Sequence, residues 1–240
     1  MEIKGYTIVN QFISRWITYS LIWSVLSCGL IHSAIITTHT HSLLGNHSFL
    51  VGVSEASVYK GSPRPVMVVL MDRFFDSYGA LKAVDRGFYL EDFIDVFSGW
   101  NMVTVVPVNF HNKNGVMVAL DSFLKTLPYV DAQQVYVIAY GDAMPVLFNS
   151  FKFDIDIQKM VLVLPYYTDS KGQSSIKASF NLVGKVPPSL ILEVKTKFTW
   201  RKYYEGQVLR YLRKVGSDVK LIRYDRNREW FWDPSQPFVL

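Results

Sequence analysis

The feature that most constrains this chain is a recurrence of short apolar stretches, largely β-branched, with helical segments between them. VMVVLM (66–71), NMVTVVPV (101–108), QVYVIAY (134–140), KMVLVLPYY (159–167), PPSLILEV (187–194) and DVKLIRYD (218–225) are the stretches. Near-continuous apolar runs belong to strands covered on both faces. Between them, 91–97 places Phe93, Ile94 and Phe97 on one helical face, and 116–127 repeats Val116, Leu120, Phe123, Leu124 and Leu127 at helical spacing. A short helix is expected over 143–150, with Pro145 in its first turn, and a long one over 200–216 with a glycine stop. Strands alternating with helices imply a parallel sheet sandwiched by helices. The expected fold class is α/β: one three-layer α/β/α domain with a mostly parallel sheet of about six to eight strands. FLVGVSEASVY (49–59) is an early strand in this reading, and PYVDAQQ (128–134) is a turn.

The junction QVYVIAYGDAM (134–144) runs from strand through a glycine into a helix. A hydrolase displays its nucleophile in that form, on a turn written G-x-S-x-G. Here the turn reads Ala139-Tyr-Gly-Asp-Ala143, with Gly141 where the serine would stand. Ala139 and Ala143 are small, as close packing of strand against helix requires. Glycine adopts a positive φ without steric cost. The shape of an elbow is accommodated while the hydroxyl is absent.

Together these segments resemble the α/β-hydrolase fold of esterase and dienelactone-hydrolase type. The resemblance rests on Pro128-Tyr-Val-Asp131 leading through Val135 to Ala139-Tyr-Gly141-Asp-Ala143. It rests also on Pro188-Ser-Leu-Ile-Leu192 before a basic helix, and on Leu212-Arg-Lys-Val-Gly216 before Val219-Lys-Leu221. It covers roughly residues 49–230, and the chain is similar as well to poorly characterised bacterial envelope proteins of that fold. The resemblance implies a triad in the chain order Ser, Asp or Glu, His, and each station is vacant. Gly141 is the nucleophile position. Lys195-Thr-Lys197 follows LILEV, with no carboxylate before Glu205. The loop after the last strand offers Glu229 and Trp230, and the last histidine of the chain is His111. Without that imidazole no general base activates a serine. DRFFDSYG after VMVVLM is not a glycine-rich oxyanion turn.

Three residues remain as weak catalytic candidates. Asp142 could be a carboxylate nucleophile only in a register that puts Tyr140 and Met144 at the small positions. Asp169 follows VLVLPYYT, and a surface loop is its plain reading. His111 follows a strand end, where α/β sheets hold ligands, and with Asp72, Asp76 and Asp142 would line one crevice. No cofactor is implied and no metal site is expected.

The N-terminal region reads as separate from the domain. From Trp16 to Ile36 the chain has 21 residues without Lys, Arg, Asp or Glu, preceded by Arg15. About 20 apolar residues suffice to span a bilayer, and a secretory signal has the same form. Residues 1–36 are therefore expected to be a signal peptide or membrane anchor, 37–48 a polar spacer and 49–240 the α/β domain. Val25-Leu-Ser-Cys28 resembles a bacterial lipobox, which makes Cys28 a candidate for lipidation. With Arg15 inside, the body lies outside the cytoplasm, periplasmic or membrane-anchored. His32, His39, His41 and His47 cluster here, and THTH would point two imidazoles the same way on a strand. The segment is Ser/Thr-rich and lacks carboxylates, so a spacer is the expectation rather than a metal site.

A charged fraction of 19% with 50% hydrophobic residues marks a folded chain, and a single cysteine excludes an internal disulfide. The net charge of +5 is uneven: residues 1–180 hold 13 basic against 14 acidic side chains, residues 181–240 hold 12 against 6. Lys195, Lys197, Arg201 and Lys202 could form a surface for an anionic lipid, a polymer or a partner. No nucleic-acid-binding module accompanies them. The functional expectation is a non-catalytic envelope protein, bound to the membrane through its N-terminal segment and to an envelope protein partner. The alternatives are a hydrolase of the same fold with a non-standard site, and a surface binder of anionic lipid or polymer.

Overall fold

The computed structural model describes residues 34–54, 62–72, 90–110, 115–151, 155–163, 186–194 and 199–224. Strands β1 (Ala34–His41), β2 (His47–Ser54) and β3 (Arg64–Leu70) come first, followed by helix α1 (Leu90–Gly99) and β4 (Val103–Val108). Then come α2 (Val116–Leu124), β5 (Val130–Tyr140), a 3-10 turn (Gly141–Ala143) and α3 (Met144–Ser150). The strands β6 (Ile157–Val163) and β7 (Ser189–Val194), the helix α4 (Thr199–Lys214) and the strand β8 (Val219–Tyr224) complete the order.

The eight strands among the described residues form one sheet in the order β1-β2-β4-β3-β5-β6-β7-β8. β2 runs antiparallel to both β1 and β4, and the remaining pairs are parallel. The sheet is therefore a single α/β unit with β2 as its one reversed strand. From β3 the chain crosses to β4 on one side, then returns past β3 to β5 on the other. Right-handed crossovers put the helices of those two excursions on opposite faces. The packing follows: Ile94 and Phe97 of α1 meet Val69, Met71 and Val106. Phe123 of α2, Leu147 of α3 and Leu212 of α4 meet Val68, Val105 and Val137 on the other face. Adjacent residues of each central strand serve opposite cores, which is why these strands contain so few polar positions.

Two helices end in the same way. In α4, Gly216 (φ 79) donates its N–H to Arg213 O and Ser217 donates to Leu212 O, both near 3 Å. In α1 the left-handed residue is Asn101 (φ 62), with Asn101 N–H to Ser98 O and Met102 N–H to Phe97 O. Both are Schellman closures, one on the expected glycine and one on the next most tolerant residue.

Two expectations need correction. Residues 37–48 are not a spacer: they belong to an antiparallel hairpin in which Ala34–His41 pairs residue by residue with His47–Ser54. The domain thus extends back at least to Ala34, and the last three residues of the apolar run 16–36 are strand. Alternating Thr and His suit an edge strand because only part of its surface is covered: the His39 and His41 rings rest on Phe123 at 5.4 and 6.0 Å. The stretch 128–134 is a turn only at its start, since β5 begins at Val130, where the parallel pairing with β3 shifts register. Among the described residues no helix is long and apolar enough to cross a membrane. Cys28 and the expected signal or anchor up to residue 33 lie outside the described residues.

Candidate functional site

In an open α/β sheet, ligands bind beyond the carboxyl ends of the strands, where the winding reverses. In this sheet the reversal lies at β4, β3 and β5, so the candidate site is the edge formed by their C-terminal ends. Tyr140 is still extended (φ −100, ψ 133), Gly141 turns left-handed at φ 51, and Met144 is already helical (φ −53, ψ −43). Reversal from strand to helix therefore occurs on one residue, and that residue has no side chain.

The surroundings of the turn are tightly packed. Ala139 and Ala143 are fully buried within the core shared with α2 and α3, as are Met144 and Leu147. A β-carbon larger than a methyl group at either alanine would enter that core. Asp142 is also buried, at 8% exposure, and engages the surrounding structure. It follows the apex rather than occupying it. Asp142 is thus at the first turn toward α3, while the position that projects from an elbow is Gly141.

Two further residues end on this edge. β3 and β5 align Leu70 with Ala139, and β3 and β4 align Val68 with Val105. Asp72 follows the end of β3 and Asn109 the end of β4, at the same carboxyl-terminal edge as Gly141. Asn109 holds a left-handed backbone (φ 53), uncommon outside glycine, and no motif in the sequence marks it. A carboxylate at Asp72 sets negative charge beside the place where an acyl-transfer enzyme gathers donors for an oxyanion.

The other sequence candidates divide clearly. His111, Asp76, Asp169, Lys195 and Lys197 lie outside the described residues. Arg201 and Lys202 fall in the first turn of α4. At the far end of that helix Arg210, Arg213 and Lys214 are exposed. Among the described residues no three His, Cys, Asp or Glu side chains come together as a metal site. His39 and His41 are instead bound into the hairpin and α2, His39 Nε2 lying 2.8 Å from Thr37 Oγ1 and His41 Nε2 3.3 Å from Ser122 Oγ.

No family model and no curated protein sequence matches the chain. Solved structures do. An S-formylglutathione hydrolase from Agrobacterium tumefaciens superposes with TM-score 0.59 at 14% identity, over 86% of this chain and 93% of the other. Esterase 2 of Thermogutta terrifontis, phosphorylated by paraoxon, gives TM-score 0.58 at 13% identity over 81% and 83%. A bacterial heroin esterase gives 0.58 at 11% over 90% and 83%. At these identities the likeness concerns the backbone. Strand order, the single reversed strand, the turn at Gly141 and these superpositions agree: the chain has the α/β-hydrolase fold.

Proposed function

We propose that this chain is a non-catalytic member of the α/β-hydrolase fold, exported to a bacterial envelope, where it works as a binding or assembly component. The observation that carries the reading is Gly141 at the apex of the elbow, with φ 51 and no side chain to attack a carbonyl. Two features support it: no histidine follows His111 in the chain, and a carboxylate, Asp72, follows the end of the neighbouring strand at the same sheet edge. The envelope location rests on the uncharged run that precedes β1, residues 16–33 after Arg15. The test is hydrolysis of short p-nitrophenyl esters by the purified full chain. Turnover at the buffer rate is the expected result, and turnover well above it overturns the reading.

A second reading is a hydrolase with a non-standard site, and the structural neighbours favour it over the first, since those named are esterases and hydrolases. Asp142, buried one residue past the apex, is the group that would serve, with His111 as its partner. That pair must lie within hydrogen-bond reach of each other or of one shared water. Ester hydrolysis that disappears in both Asp142→Asn and His111→Ala is its signature. Binding of an anionic lipid or polymer through the basic segment 195–228 is a third reading. It predicts binding that weakens steeply with salt.

A further inference from the structure

We propose that the exposed face at the carboxyl end of α4, formed by Arg210, Arg213, Lys214 and Val215, lies on an anionic lipid bilayer. This rests on the reading of segment 195–228 as an anion-binding surface and narrows it to one helix and one partner.

The sheet divides the charge of the helices. α1 carries Glu91, Asp92 and Asp95 and no basic residue. α4 carries Arg201, Lys202, Arg210, Arg213 and Lys214 against Glu205 alone. α1 packs on one face of the sheet through Ile94 and Phe97, and α4 packs on the other through Val208 and Leu212. An anionic surface therefore attracts the α4 face and repels the α1 face, which orients the domain before contact.

At the end of α4 the positive charge is available. Val208 and Leu212 are fully buried, while Arg210, Arg213 and Lys214, spaced i, i+3, i+4, are exposed together on one side. Lys125, at the end of α2, is ion-paired with Asp121 at 2.6 Å. None of the three α4 cations is ion-paired with another described residue. Asp218, exposed beyond the turn, is the acid that follows them. Arg213 and Lys214 also suit the negative end of the helix dipole, which accounts for neither Arg210 nor Val215.

Val215 favours a bilayer over a soluble polyanion. It is 38% exposed, and among the described residues it is the exposed large hydrophobic that lies outside the β1–β2 hairpin. An apolar side chain set among cations gains by entering the headgroup boundary, where the basic groups meet lipid phosphates. A soluble polymer offers it no apolar phase.

The test uses the full chain bound to phosphatidylcholine vesicles, with and without phosphatidylglycerol. Lysines are acylated by a water-soluble ester, and Lys214 is read by mass spectrometry. An apolar anchor engages both vesicles alike, so the difference between them reports the charged contact. Lys214 should label at least about fivefold less on the anionic vesicles and regain the neutral-vesicle level at high salt. Arg210→Gln/Arg213→Gln, with far-ultraviolet dichroism unchanged, should restore the labelling. Equal labelling on the two vesicles overturns the proposal. So does a difference that survives in the folded double variant, because the two arginines then serve only to close the helix. If the double variant does not fold, salt decides on the unaltered chain, and protection that persists at high salt overturns the proposal. Salt-sensitive binding of polyphosphate by a chain whose Lys214 stays labelled on anionic vesicles overturns the bilayer contact and leaves the segment an anion binder. Binding of neither overturns both.

Discussion

Ile94 of α1 sits directly over Gly52 of β2, so close that a β-carbon on the glycine would overlap the Ile94 side chain. Helix and sheet meet here backbone to side chain, and the near approach sets the height of α1 above β2 and β4. Gly52→Ala forces α1 outward or Ile94 off its rotamer, and overpacking of this kind costs about 1–3 kcal/mol. Urea unfolding should show a lower midpoint with unchanged slope. The pair Gly52→Ala/Ile94→Ala should cost less than the two single changes together, because Ile94→Ala removes the Cγ2 methyl that the new β-carbon meets. Additive losses would place the cost of Gly52→Ala elsewhere.

A second contact lies at the opposite edge of the sheet from the elbow. Ser217 Oγ donates to Pro187 O at 2.7 Å, Ser189 Oγ lies 2.9 Å from the same carbonyl, and the two hydroxyls are 3.0 Å apart. All of this is buried, tying the start of β7 to the turn before β8. Ser217→Ala and Ser189→Ala should each lower stability by about 1–2 kcal/mol. The double variant should cost less than the two together, because the hydroxyls share one acceptor. Any binding function of the C-terminal edge should be unaffected, which separates stability from function in one experiment.

Stability should also fall in alkali. Tyr211 of α4 lies beside Phe148, 6.5 Å between ring centroids, and burial pushes its phenol up to about 12 from the ordinary value near 10. The folded chain then keeps a proton that the unfolded chain gives up first. This contribution is complete below pH 10 and is lost as pH rises through about 12. Tyr129 and Tyr136 are shifted upward for the same reason and act in the same direction. Urea midpoints measured across pH 9–12 should therefore fall, and Tyr211→Phe should flatten the fall. An equal slope in the variant would show that Tyr211 does not contribute.

Most of the sheet was legible in the sequence because β3 to β7 are buried on both faces, which forces continuous apolar runs such as VMVVLM. The elbow was legible for a related reason: Ala139, Gly141 and Ala143 are small where strand and helix pack tightest. The hairpin 34–48 was not. An edge strand half covered by one helix needs no apolar alternation, and its packing residues, His39 and His41, carry no hydrophobic signal. They lie on Phe123, which itself stacks on Phe49 at 4.8 Å. Asn109 escaped as well, since its left-handed backbone is imposed by the end of β4 and leaves no trace in VNF.

The apex of the elbow allows the sharpest test of function. Gly141 has φ 51, a conformation that any other residue adopts at a cost of about 1–2 kcal/mol. Gly141→Ala should therefore lower stability by about that amount. Gly141→Ser should cost about the same while restoring the hydroxyl at the nucleophile position. A hydroxyl alone is a poor nucleophile, because its proton needs a base and the leaving group needs that proton returned. In a chain without a histidine after His111, Gly141→Ser should hydrolyse p-nitrophenyl acetate no faster than Gly141→Ala. If serine at 141 alone restores turnover, a base already stands at this edge, and the vacancy at Gly141 is the only defect in an otherwise assembled site.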